Sequence, residues 1–143
     1  MSRLEKIADL RIVDRHPGYD KVNNPQRLSV AELAPVGLTW QSGGVQHTIH
    51  SQAGVSGRLL GDASGIAVIE GPYEPSANLA YIVNADGSLR ARFPTQIGAE
   101  CVSFYDVVEA NGSVAFLAAV PGRDVRIEVR EADGAMVQVT ESR

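Results

Sequence analysis

The side chains able to do chemistry are few: three histidines and one cysteine in 143 residues, set against 17 carboxylates. His47-Thr-Ile-His50 is the spacing that invites a metal reading, since a helix would carry residues three apart on one face. The surrounding Val45–Ile49 alternates as a strand does, and on a strand residues three apart point to opposite sides. The pair is therefore read as structural. His16 lies near Asp14 and Asp20 in a loop, a set that could hold a metal or pass a proton, but no further ligand stands at a supporting spacing. Gly54, Gly57, Gly61 and Gly65 lack the Gly-Lys-Ser/Thr entry to a helix that a phosphate loop needs. No Gly-x-Ser-x-Gly occurs. Glu70, Glu74, Glu100, Asp106 and Glu109 could supply an acid–base pair, yet their spacing selects no two. Cys101 opens an expected strand and is read as a small buried hydrophobe. A lone cysteine excludes an internal disulfide and a four-cysteine zinc site. No catalytic residue, metal or cofactor is expected, and the reading leans away from an enzyme.

Binding is the better use of these residues. Gly71-Pro-Tyr-Glu-Pro-Ser-Ala-Asn78 is the longest connection within the strand-rich part, stiffened by two prolines. It carries Tyr73 beside Glu74, and tyrosine offers large contact area at low entropic cost. Tyr105, Asp106 and Arg123 are the further polar candidates, for a site between the two halves of the strand-rich region. Arg90 with Arg92, and Arg126 with Arg130, form charged strand faces read as solvated, though they could meet an acidic partner. The net charge of −4 and pI near 5.3 argue against nucleic acid, whose binding depends on neutralising phosphates.

The elements that must position these residues can be read in order. Ser2-Arg-Leu-Glu5 matches a capping box, with Leu4, Ile7 and Ala8 on one face, predicting a short helix over 3–10. Pro17-Gly18 and Asn23-Asn-Pro25 mark loop. Ser29-Val-Ala-Glu32 is a second capping box, predicting a helical turn or two over 30–34. From Val36 the period changes to two. Leu38–Trp40 and Val45–Ile49 flank Ser42-Gly-Gly44 as a hairpin, with Trp40 expected in the core. Then the same order comes twice: strands near 55–60, 66–70, 79–84 and 88–93, and again near 102–109, 113–120, 125–130 and 135–140. Asp86-Gly87, Asn111-Gly112 and Asp133-Gly134 are hairpin turns whose two central residues are expected at positive φ. Gly65 and Gly112 stand 47 residues apart, as do Gly87 and Gly134. Leu89, Ala91 and Phe93 are expected on one face of their strand, and Val125, Ile127 and Val129 on one face of theirs. Val114–Val120 is apolar on both faces and so expected to be central and covered.

The fold expected is mainly antiparallel β: two tandem four-stranded meanders, a hairpin and a short N-terminal helix. It forms a single domain over 1–143, divided into a helical and loop cap at 1–35, a hairpin at 36–51 and repeats at 55–98 and 99–143. Tyr81–Phe93 and Val125–Val137 resemble the outer half of a β-propeller blade, within a stretch from Val55 to Thr140. Closing a propeller takes four or more blades. The chain offers two and a hairpin, so the resemblance implies an incomplete propeller, a sandwich, or closure through oligomers. No run of about 18 apolar residues spans a membrane, and the charged N-terminus lacks a signal-peptide core, so a cytosolic protein is expected. The function expected is a protein-binding module, for instance a stoichiometric inhibitor such as an immunity protein that neutralises a toxin. The alternatives are a small-ligand site or enzyme between the repeats, and a subunit of a self-assembling β structure.

Overall fold

The computed structural model describes residues 6–110 and 112–142. Three antiparallel sheets carry the chain. The front sheet contains β1 (Ala8–Val13), β2 (Gly37–Ser42) and β3 (Val45–His50), with a single helical turn, α1 (Val30–Leu33), between β1 and β2. The middle sheet is β4 (Val55–Leu59), β5 (Gly65–Glu70), β6 (Leu79–Asn84) and β7 (Leu89–Arg92). A small ladder, β8 (Gln96–Ile97) with β9 (Glu100–Cys101), leads to the back sheet of β10 (Ser103–Ala110), β11 (Ser113–Val120), β12 (Arg123–Val129) and β13 (Met136–Ser142). In each sheet the strands lie in sequence order, and among the described residues none closes on itself. No helix among the described residues is long and apolar enough to cross a membrane.

Strand alternation explains the layering. Ala67, Ile69, Ala80 and Ile82 turn one face of the middle sheet toward Phe104, Phe116, Ala118 and Ile127 of the back sheet. Ile66, Val68, Tyr81 and Val83 turn the other face toward Leu38 and Trp40 of the front sheet. The middle sheet is thus the filling of a three-layer stack, and β5 is buried on both faces from Ile66 to Ile69. The sequence pointed instead to Val114–Val120 as the doubly covered strand. There the even-numbered face is sealed throughout, while on the other face Ala115 is buried but Leu117 and Ala119 are only partly buried.

Close approach of the layers needs missing side chains at two places. A Cβ on Gly57 would stand 2.6 Å from Leu38 Cδ1, and one on Gly134 would stand 2.2 Å from the Ala91 Cβ. Trp40 ties the front sheet down, stacking on His47 at 5.4 Å while its indole N–H donates to the Ala85 carbonyl at 2.8 Å. Beside the apolar core between the middle and back sheets, polar side chains bridge the two layers. The Asn78 side chain donates to the Phe104 carbonyl at 2.7 Å and accepts the Phe104 N–H at 2.8 Å, copying a strand partner. Arg58 donates to the Val107 carbonyl, and Arg90 to the carbonyls of Glu131 and Ser64. The Glu131 carboxylate accepts the N–H groups of Gly61 and Val114.

Several sequence expectations are corrected. The segment expected as helix over 3–10 runs as strand β1 from Ala8, paired with β2, and residues 3–5 of that prediction lie outside the described residues. The capping box at Ser29–Glu32 does form, with both reciprocal bonds, and starts α1. The Asp-Gly turns do not place both central residues at positive φ. Gly87 and Gly134 have it and their aspartates do not. Each aspartate instead accepts the N–H two residues on, from Ser88 and Ala135, as an Asx turn does. Both positive φ values occur at Gly43-Gly44, the two-residue turn of β2–β3. Asn111 of the Asn-Gly turn is outside the described residues. A register shift in the β6–β7 pairing turns Leu89 out to solvent and Arg90 inward, against the expected faces.

Replacing Asn78 with alanine leaves the buried Phe104 amide and carbonyl without their partner. Unfolding by urea should show a loss of about 2 to 4 kcal/mol, and a change below about 0.5 kcal/mol would mean that the seam does not depend on it. Acid should act at the turns. Hydrogen bonds from Ser64 and Ser88 hold the Asp62 and Asp86 carboxyls below their ordinary range, and Arg130 pushes Asp133 down to about 2. Because these folded-state values are depressed, their stabilisation is complete above the unfolded carboxylate range near about pH 4. It is lost as pH falls toward the folded values. Asp133→Asn should flatten the lowest part of that decline in urea midpoints measured against pH; an unchanged curve would contradict the assignment.

Candidate functional site

The first strands of all three sheets, β1, β4 and β10, are edge strands, and they come to one side of the stack. Between them opens a cleft of about 500 Å3. Its apolar lining comes from Ile12 of β1, Leu33 to Pro35 at the end of α1, Leu38 of β2 and Val55 of β4. Local sequence explains the helical part: the Ser29–Glu32 capping box starts α1, and Pro35 follows directly, so Leu33 ends on a fixed single turn. Ser56 and Gly57 run along the wall. Tyr73 and Pro72 form the rim on one side, and Tyr105 with Asp106 the rim on the other.

Three of the five residues picked from sequence are therefore brought together: Tyr73, Tyr105 and Asp106. Tyr73 is half-exposed and stands on a ridge shared with a second, more polar cleft of about 390 Å3. Glu74 lines that second cleft with His16, Glu32 and Gln52. Arg15 braces it, donating to the carbonyls of Ala34 at 3.2 Å and Gln52 at 2.7 Å. Arg123 joins neither cleft. It forms a two-pronged pair with Glu100, at 3.0 and 3.2 Å, and reaches Glu141 at 3.5 Å.

Tyr105 and Asp106 owe their position to a β-bulge. The β10–β11 register shifts between Phe104 and Asp106, so Phe104 faces the core while Asp106 stands exposed opposite Leu117. Burial, and then the neighbouring Asp124 carboxylate, push the Tyr105 phenol above its ordinary value. Asp106 accepts the Val107 N–H at 2.8 Å, which aims the carboxylate. The cleft thus offers an apolar floor, two tyrosine rims and one carboxylate, an arrangement suited to binding.

The remaining candidates go elsewhere. Asp14 pairs with Lys21 at 2.5 Å and Asp20 accepts the amides of Val22 and Asn23, so His16 does not gather them into one site. Among the described residues no group of three or more histidine, cysteine or acidic side chains could hold a metal ion. His47 is taken by Trp40. Arg90 turns inward, while Arg126 pairs with Glu128 and Arg130 with Asp133. Cys101 is exposed, contrary to expectation, because β9 belongs to a two-stranded ladder that nothing covers deeply. Sequence reasoning missed Ile12, Leu33, Leu38, Val55 and Gly57. A glycine inside the strand pattern at Gly57 was the one available signal, since such glycines mark close approach of a backbone.

No protein-family model matches the chain, and no curated protein does. A chain of the solved structure of Tne2 in complex with Tni2 shares its fold, with a TM-score of 0.76 at 14% sequence identity over 96% of this chain and 99% of that one.

The exposed thiol has a direct check. Native protein treated with a thiol-reactive chromogenic disulfide should release one equivalent of chromophore as fast as denatured protein does, within about a factor of ten. Reaction only upon denaturation would put Cys101 inside.

Proposed function

We propose that this chain is a non-catalytic protein-binding module acting as a stoichiometric inhibitor, of the kind that neutralises a toxin. The observation that carries this reading is the open cleft itself. It presents apolar surface between two tyrosines and an aimed carboxylate, at the side of the molecule where three sheet edges meet. Aromatic anchors in such surroundings are the usual centres of protein–protein recognition. The likeness in fold to a chain solved within a two-protein complex supports the reading. On this reading the chain works in the cytosol, as a single domain, and its Tyr73 and Asp106 meet the partner directly.

We also read the two four-stranded sheets as tandem copies of one unit, stacked like neighbouring blades of an open propeller. The shared strand order and the 47-residue offset of the turn glycines support that reading. A second functional reading is favoured by the size of the cleft. At about 500 Å3 it falls within the range of small-ligand sites, and residues from both four-stranded sheets contribute to its lining.

Tagged protein recovered from its native cell lysate should elute with one partner at equal stoichiometry, measured by light scattering during size-exclusion chromatography. Tyr73→Ala with Asp106→Ala should weaken that complex by about a hundredfold, at roughly 1 to 2 kcal/mol for each contact, while circular dichroism stays unchanged. A partner bound equally well by the double variant overturns the assignment of the cleft. A clean monomer that instead binds small molecules at the cleft favours the second reading.

A further inference from the structure

Two apolar side chains at the cleft stand in water. Ile12 is 61% exposed and Val30 64%, and the half-exposed Tyr73 lines the same opening. Single exposed apolar residues are ordinary, but here β1, α1 and the loop after β5 bring theirs to one place.

Register explains why Ile12 is bare. It stands opposite Leu38 in the β1–β2 ladder, so both side chains leave the same face of the front sheet. That face lies on the middle sheet, where Leu38 joins Ile66 and Val68 in the core and is only 1% exposed. β1 is an edge strand, and its Ile12 overhangs β4, whose buried Val55 already donates to the Pro35 carbonyl. Val30 reaches the cleft because the capping box starts α1 at that residue. Both side chains therefore point into an opening that no described segment of the chain fills.

The opposite rim carries negative charge. Asp106 is exposed and forms no ion pair among the described residues. Asp124 lies close by, beside Tyr105. The surrounding cations are already engaged: Arg58 with the Val107 carbonyl, Arg126 with Glu128, and Arg15 with the carbonyls of Ala34 and Gln52. An unpaired carboxylate across from an apolar patch is complementary to a cation beside an apolar side chain.

We propose that the rim formed by Ile12, Val30, Tyr73 and Asp106 receives a protruding loop of the partner protein carrying an arginine or lysine next to a large apolar residue. The proposal rests on the protein-binding reading above and names the chemistry of the partner. The apolar residue covers Ile12 and Val30, completing the burial that the overhang of β1 leaves unfinished. The cation meets the Asp106 carboxylate. Tyr73 adds the broad contact of its ring.

The test uses random dodecapeptides displayed on phage and panned against the full chain. Enriched sequences should place arginine or lysine beside leucine, isoleucine, phenylalanine or tryptophan. For the best binder, Ile12→Ser and Val30→Ser should each weaken binding about five- to tenfold, and Asp106→Asn about fivefold. Val137→Ser, at an exposed apolar residue of β13, should change nothing. Asp106→Lys should abolish binding, and replacing the peptide's cation with glutamate should restore it. Acidic binders overturn the proposal, as do binders indifferent to Ile12→Ser and Val30→Ser, a charge-swapped pair that does not recover, and a library without binders. A lysate partner weakened by the Tyr73 and Asp106 variant but not by Ile12→Ser with Val30→Ser sinks the proposal and leaves the binding reading standing. If no partner is recovered, the binding reading fails and the proposal with it.

Discussion

Covering the middle sheet on both faces is the constraint on which the rest of the structure depends. Ile66, Val68, Ile69 and Ile82 are each essentially removed from water, a gain of about 1.5 to 3 kcal/mol per side chain. That gain requires two further layers, one on each side. The front sheet supplies Leu38 and Trp40, and the back sheet supplies Phe104 and Phe116. A strand apolar on both faces cannot stand at the surface, so the position of β5 dictates that the neighbouring meanders stack over it rather than extend it sideways.

Stacking creates a second demand at the seam, because strand ends and edges there lose water as well as neighbours. Buried backbone groups left unpaired cost about as much as the apolar burial gains. The chain meets this with side chains acting as stand-in strands. Asn78 pairs with both the N–H and the carbonyl of Phe104, and Glu131 accepts the amides of Gly61 and Val114. Arg90 illustrates the cost of judging charge from sequence. It reads as a solvated strand residue, yet its guanidinium is spent on internal carbonyls. The cleft opens beside this sealing, lined by residues of β1, β4 and β10.

Strand positions were readable because their signals are local. Alternation, turn glycines and the order of the meanders placed the hairpin and both four-stranded sheets within a residue or two, and the Ser29–Glu32 box placed α1. The N-terminal stretch was misread because Leu4, Ile7 and Ala8 suit a helix, whereas pairing with β2, a partner some thirty residues away, draws Ala8–Val13 into a strand. Tertiary pairing overrode local propensity there. For the site, Tyr73 was chosen from the longest loop and Tyr105 and Asp106 as polar residues for a site between the two halves, and the fold brings them to one cleft. Arg123 looked equivalent by type and proved committed to Glu100.

The sequence by itself determined the antiparallel β class, the boundaries of the hairpin and of the two four-stranded meanders, and the positions of the glycine turns, since each depends on residues adjacent along the chain. Only the tertiary structure decided that β5 rather than β11 is buried on both faces. It also decided that Arg90 points inward, that Cys101 is exposed, and that the edges of β1, β4 and β10 share one side. Those outcomes depend on which sheet lies over which, and that is set by packing between side chains far apart in sequence. Alternation shows that a face is apolar. It does not say what covers it.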